Sequence, residues 1–160
     1  MPLPELILRA YRPADFESVV AIDQACFPKA IAYGRQEMKG YLHGEGAHSI
    51  VAEVPGAVAG FIITERSGDL AHVITLDVLP QFRRQSVGSQ LLQSAEQEAV
   101  SRGCTAIYLE TATSNKAAIA LWVKHGYGRM DTVKNYYGYG QHAFEMLKRI
   151  GLKSQVKALP

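Results

Sequence analysis

Val78-Leu79-Pro80-Gln81-Phe82-Arg83-Arg84-Gln85-Ser86-Val87-Gly88-Ser89 decides how this chain folds, because it carries the end of one periodic pattern into the start of another. Before it, Ala71 to Val78 is rich in β-branched residues and stops at Pro80, as a strand does. After it, Val87, Leu91, Leu92, Ala95, Ala99 and Val100 fall at helical spacing, and Gly103 follows Arg102 as a C-terminal stop. A helix of about four turns is expected there. Where a strand feeds a helix through small residues, unpaired backbone N–H groups and the positive end of the helix dipole converge, which is where a phosphate binds. Arg83 and Arg84 add charge to that point, although a capped helix with two solvated arginines would show the same generic features.

Working toward the amino terminus, Ser67-Gly68-Asp69 reads as a turn, Val58 to Arg66 and Ser49 to Glu53 as strands, and Pro55-Gly56 as the hairpin between them. A short helix is expected around Arg35 to Leu42. A longer one opens at Pro13-Ala14-Asp15 and runs through Val19, Val20 and Ile22 toward Phe27-Pro28, and Leu6 to Arg12 is a first strand. In the other direction come a strand over Ala106 to Glu110, a helix over Asn115 to His125 ended by Gly126, and a closing pair over Tyr127 to Lys134 and Ala143 to Leu147. The early strands make an antiparallel meander. The strand, helix, strand passage from Thr75 to Glu110 is a crossover, so its two strands are expected to run parallel. One domain over residues 1–150 with a loose tail at 151–160 is the expected organisation.

With 48% hydrophobic and 20% charged residues, the composition is that of a globular chain able to build a core. A net charge of only +2 means that an anionic ligand must be held by local donors, and nucleic acid gains no support as a partner. No secretory leader or membrane-length apolar run is read, so a cytoplasmic protein with no membrane partner is expected. Cys26 and Cys104 read as buried reduced thiols, and neither the cysteines nor the scattered histidines have a metal spacing. No metal is implied.

The segment from Arg83 to Ser89 resembles the acetyl-coenzyme A signature of the GNAT superfamily of acetyltransferases, Gln or Arg, any two, Gly, any one, Gly or Ala. Arg83 and Gly88 match its ends, and Val78 to Pro80 matches the usual lead-in. Ser86 stands where the first glycine is usual, and a serine fits if that position needs neither positive φ nor a side-chain-free approach. Asn115 to Tyr127 is similar to the second signature of the family, with Asn115, Ala118, Leu121, Gly126 and Tyr127 in place, and on a helix positions 115, 118, 119 and 122 share one face. The resemblance runs from about residue 6 to about residue 148 and is nearest to the branch that acetylates ribosomal or nascent-chain amino termini. It implies an α/β (α+β) fold of the GNAT kind, with a mixed sheet of about six or seven strands and roughly four helices, and the cofactor at the splay between the fourth and fifth strands.

The resemblance also implies site residues. Acetyl-coenzyme A is the expected cofactor, held by Leu76, Asp77 and Val78 along the thioester arm, by Arg83, Arg84, Gln85, Ser86, Val87, Gly88 and Ser89 at the pyrophosphate, and by Asn115, Ala118 and Trp122. Acyl transfer to an amine needs a base, a polarised carbonyl and a thiolate able to leave. Glu110, at its strand end, is the expected base, with Asp77 in reserve unless it faces water. The tyrosine expected as general acid is replaced by Trp122, whose indole donates a hydrogen bond but no titratable proton. Tyr136, Tyr137 and Tyr139 are the nearest substitutes. They lie in Lys134-Asn135-Tyr136-Tyr137-Gly138-Tyr139-Gly140, which resembles the Asn-Tyr-Tyr loop of amino-terminal acetyltransferases. Tyr136 and Tyr139, with Phe27 and Tyr33 on another segment, are expected to contact the acceptor.

The function that follows is transfer of acetyl to a primary amine, a protein or peptide amino terminus before a small-molecule amine. Ser86 and Trp122 also admit a non-catalytic acyl-coenzyme A sensor or adaptor. A nucleotide-binding domain of another fold would need a glycine-rich loop after the first strand or a Walker pattern, and neither is present. A homodimer is left open.

Overall fold

The computed structural model describes residues 5–151. In chain order the elements are β1 (Ile7–Ala10), a 3-10 turn (Pro13–Asp15), α1 (Phe16–Cys26), α2 (Arg35–His43), β2 (Ala47–Val54), β3 (Ala57–Ser67) and β4 (Leu70–Val78). A second 3-10 turn (Pro80–Phe82), α3 (Val87–Ser101), β5 (Ala106–Ala112), α4 (Lys116–Lys124), β6 (Gly128–Val133) and β7 (Ala143–Arg149) follow. The seven strands hydrogen-bond in the order β1-β2-β3-β4-β5-β7-β6, a mixed sheet accompanied by four α-helices, as the sequence led us to expect. The chain divides into two compact units, one running to Glu65 and taking in Ile74–Ala95, the other comprising Arg66–Val73 and the residues from Glu96 onward.

In the first unit β1 pairs antiparallel with β2 and β2 with β3, and the second ladder is interrupted by a bulge at Ala52/Glu53. Phe16, Val19 and Val20 recur on one face of α1 and pack with Met38 and Leu42 of α2 and with Val51, Phe61 and Ile63 of the strands. Fully burying such side chains contributes about 1.5–3 kcal/mol each. Helix α1 ends at Cys26 because Phe27 precedes Pro28 and takes the extended conformation that a following proline favours. Arg9 closes the amino-terminal side, donating from both terminal nitrogens to Asp15 at 2.8 Å and from Nε to Glu53 at 2.9 Å.

In the second unit the start of β4 runs parallel to β5, with Leu70 opposite Ala106 and His72 opposite Tyr108, so the expected crossover is present. Strand β7 pairs antiparallel with both β5 and β6. Glu96 of α3 is the polar tie of this unit, accepting from Tyr127 Oη at 2.8 Å and from Lys148 Nζ at 3.0 Å. Gly103 and Gly126 end α3 and α4 with φ of 83° and 91°, the left-handed stop that glycine makes without strain. Gly151 is buried beside the Cys104 carbonyl, and the remainder of the expected tail, 152–160, lies outside the described residues, as do residues 1–4. Both cysteines are free thiols, Cys104 buried and Cys26 half-buried.

Gly60 sets how closely β3 approaches the end of β4, since a Cβ there would lie 2.5 Å from the Asp77 carbonyl oxygen and 3.2 Å from Val78 Cα. Backbone atoms have nowhere to retreat. Gly60→Ala is expected to cost about 1–3 kcal/mol as an overpacking change, read as a thermal midpoint lowered by several degrees. An unchanged midpoint would refute this reading of the contact.

Candidate active site

Two groups of side chains, one in each unit, account for the site residues read from the sequence. In the first unit the segment after β4 turns through Pro80–Phe82 and enters α3 with Arg84 at φ 61° and Ser86 at φ 66°. Both are left-handed. The serine reading is thereby corrected: Ser86 occupies the positive φ that the usual glycine adopts freely, because the loop must reverse between Arg83 and the first helical turn. Val87 is buried and anchors the loop, while the Ser86 carbonyl accepts from Gln90 N at 3.0 Å and starts the helix. The N–H groups of that first turn have no acceptor within the helix. Arg83 folds back, its Nε donating to the Val78 carbonyl at 2.9 Å, and that carbonyl also accepts from the Cys26 thiol at 3.3 Å. Burial and the Asp77 carboxyl push the Cys26 thiol up, so it is a poor nucleophile near neutrality.

Strand β4 alternates along its length, with Thr75 and Asp77 buried and Ile74, Leu76 and Val78 half-buried on the other face. Asp77 does not face water as one reading allowed. It points into the protein, 1% exposed and bonded by the Thr75 hydroxyl, and burial first, with Asp23 next, raises it well above the usual carboxylate range. Asp23 was missed in the sequence, where a single carboxylate on a helix reads as solvated. Of the expected acceptor contacts in this unit, Phe27 and Tyr33 are half-buried, and Tyr33 donates from Oη to the Ile74 carbonyl at 3.4 Å with its ring 4.9 Å from that of Tyr41.

In the second unit the parallel register sets His72 beside Tyr108, their rings stacked at 4.4 Å and 2°. Glu110 lies two residues further on the same face of β5. Its Oε1 is 2.6 Å from His72 Nε2 and accepts from Tyr136 Oη at 3.2 Å, and its side chain is 12% exposed. With the carboxylate ionised, Nε2 is the ring nitrogen that carries a proton. The sequence did not single out His72, because its partner comes from a strand 38 residues away. The loop bearing Tyr136 is pinned by Tyr137 N donating to the Gln141 carbonyl at 3.1 Å and Asn135 N donating to His142 Nδ1 at 2.9 Å. Tyr136 and Tyr137 meet edge to face at 4.8 Å, and Tyr139 is 98% exposed.

Asn115 is not on the face of α4. It sits one residue before the helix and caps it, its Oδ1 accepting from Ala118 N at 3.2 Å, because a free N–H in the first turn claims the nearest side-chain oxygen. Trp122 is buried against Tyr127, and its Nε1 has no acceptor among the described residues. A buried indole N–H without a partner costs about 1–3 kcal/mol, which a bound acceptor would recover.

The sequence profile of the acetyltransferase (GNAT) family matches residues 16–127, a span that takes in the Arg83–Ser89 loop, Glu110 and both signatures. The chain belongs to the GNAT acetyltransferase family. Like its relatives, this GNAT protein is an acyltransferase whose activity is acetyl transfer. It is 30% identical to an N-alpha-acetyltransferase of Sulfurisphaera tokodaii, over 89% of this chain and 92% of the relative. The fold is similar to that of the ribosomal-protein-S18-alanine N-acetyltransferase of Escherichia coli, with 26% identity, a TM-score of 0.84 and coverage of 92% and 95% of the two chains. Ard1 of Thermoplasma volcanium is similar too, with 26% identity, a TM-score of 0.83 and coverage of 91% and 97%. No described helix of this GNAT acetyltransferase is long and apolar enough to cross a membrane, and no described cluster of His, Cys, Asp or Glu could hold a metal.

The strained loop and the buried phenol each make a demand on stability that can be measured. Ser86→Gly removes about 1–2 kcal/mol of left-handed strain and adds back about 0.5–1 kcal/mol of chain entropy, so a denaturation midpoint equal to or higher than wild type is expected, and a clear loss of stability would contradict it. Burial, with the Glu110 charge second, pushes the Tyr137 phenol up to about 12, whereas an unfolded tyrosine ionises at about 10. The folded protein therefore holds this proton more tightly, and stability is lost as pH rises from about 10 to about 12. In Tyr137→Phe that part of the alkaline slope should be absent from unfolding curves taken across the range.

Proposed function

We propose that this acetyltransferase moves acetyl from acetyl-coenzyme A to the α-amino group of a peptide or protein, by direct attack in a ternary complex. The observation that carries the proposal is Glu110, whose Oε1 is held by His72 and Tyr136 while no described group bonds its Oε2. A carboxylate fixed at one oxygen and open at the other is arranged to take a proton from an amine, directly or through one water. A chain-terminal amine has a reference pKa of about 7.7–8.0, against about 10.4 for lysine, so a carboxylate base suits the former better. The names of the relatives from Sulfurisphaera tokodaii and Escherichia coli support the same acceptor class.

Bound acetyl-coenzyme A would supply an activated acyl carbon and a sulfur leaving group. The first-turn N–H groups between Arg84 and Ser89 suit its pyrophosphate, and Leu76 to Val78 present backbone to the thioester arm. Trp122 Nε1, buried and without an acceptor among the described residues, fits a hydrogen bond to the ligand, and Ala118 stands one turn before it on α4. Tyr137 retains its proton through neutral pH and is the proposed acid, with Tyr136 orienting Glu110. Phe27, Tyr33 and the exposed Tyr139 are assigned to the acceptor. A small-molecule amine is the alternative acceptor. A sensor without turnover would have no use for a base held by two donors.

The test is coenzyme A thiol release with free and amino-terminally blocked peptides, lysine-bearing peptides and small amines. Free peptide termini are expected to be preferred. Glu110→Gln should lower kcat by about 10²–10⁴ with acetyl-coenzyme A affinity nearly unchanged, and an unaltered rate would remove Glu110 from the mechanism.

A further inference from the structure

Asp23 sits among the core residues of α1 and Asp77 reaches the interior from β4, each 1% exposed. One oxygen of each is satisfied: Asp23 Oδ2 accepts from Tyr33 N at 2.7 Å, and Asp77 Oδ1 is bonded by the Thr75 hydroxyl. The others, Asp23 Oδ1 and Asp77 Oδ2, are buried with no donor among the described residues. As two carboxylates the pair would be two interior charges with two empty acceptors, an arrangement that proteins avoid. A proton on one carboxyl gives it a donor for the other and removes one of the charges.

The surroundings leave few competing explanations. Burial first, and Asp23 next, drive Asp77 upward, while Thr75 and the Arg83 guanidinium oppose the shift. Cys26, in the last turn of α1, also faces the pair, but its thiol is neutral for the reason given above. Arg83, in the segment after β4, is exposed and permanently charged. The pair is also tied to a segment that the proposed function uses. Between α1 and α2 the chain turns on itself, with Ile31 N and Ala32 N donating to the Pro28 carbonyl, and Asp23 Oδ2 then grips the backbone of Tyr33.

We propose that Asp23 and Asp77 hold a single proton between them and that this proton docks the segment from Phe27 to Gly34, making Asp23 a positioning residue for acceptor binding. The positioning role rests on the acceptor assignment of Phe27 and Tyr33; the shared proton does not. The folded state binds this proton more tightly than the unfolded chain, so its contribution is complete in acid and is lost as pH climbs through the raised value of the pair. Without it, two buried charges oppose each other, and release of Asp23 together with Tyr33 relieves them.

The decisive measurement is amide exchange at Tyr33, corrected for the intrinsic rate, from about pH 6 to about pH 9, in wild type, Asp77→Asn and Asp23→Asn. Each substitution supplies a permanent N–H donor where the proton would be, and the amide oxygen introduced by Asp23→Asn can still accept from Tyr33 N. Wild-type protection should fall about tenfold per pH unit as pH rises toward the raised value of the pair and level off once the proton is lost, and both variants should hold theirs level throughout. Wild-type protection that is flat over the range, or that falls equally in the two variants, overturns the proposal. If a variant fails to fold, carbon-13 titration of the wild-type aspartate carboxyls decides instead: one carboxyl titrating above about pH 6 supports the pair, and none doing so overturns it. With active enzyme, the acceptor KM of wild type should rise relative to that of Asp77→Asn over the same range while the ratio of kcat values stays constant. A level KM ratio alongside pH-dependent exchange would refute positioning and leave the shared proton standing, so failure of the acceptor assignment is told apart from failure of the pair.

Discussion

The two-residue period of β4 is the constraint on which the side-chain groups of both units depend. Odd positions, Val73, Thr75 and Asp77, are buried, and even positions, His72, Ile74, Leu76 and Val78, line the other face. A one-residue slip would exchange the two sets, turning His72 into the interior, setting alanine or valine where the imidazole now meets Glu110, and bringing Asp77 out of the core. Gly60 fixes the closeness of β3 to the end of this strand, and the Leu70 to His72 ladder with β5 fixes its register. The chemistry is therefore held by main-chain geometry before any side chain interacts with another.

The same functional group does opposite work in two settings. Glu110 has a histidine nitrogen and a phenol hydroxyl at one oxygen, two groups able to donate to it. Asp77 has a hydroxyl, a second carboxyl and a buried surrounding, so its neutral form is favoured. A base must be of the first kind. Reading Asp77 as a reserve base fails on this comparison, since a buried group that already holds its proton has little capacity to accept another.

Much of the fold was legible because the apolar period changes sharply at Pro80 and Val87, and because glycines at 56, 68, 103 and 126 mark turns and helix ends where they fall. Strand ends moved by only a few residues. What escaped were facts set by tertiary packing. Alternation shows that Asp77 and Val78 face opposite ways but not which way is water. The His72–Glu110 contact needs the parallel register, and no local pattern supplies it. Asn115 fits a helix face and a helix cap equally well on paper, and the unpaired N–H of Ala118 decides for the cap. Ser86 was open because a loop's φ values depend on where both of its ends are held.

The rims of the sheet have a consequence for how molecules meet one another. Strand β1 is only four residues long, and β6 loses register between Arg129 and Asp131, leaving Met130 unpaired with a charge on either side. A neighbouring strand seeking an unbroken run of main-chain donors and acceptors finds neither rim suitable: one is too brief and the other is kinked and charged. Edge-to-edge pairing of strands from one molecule to the next is thus opposed at both rims.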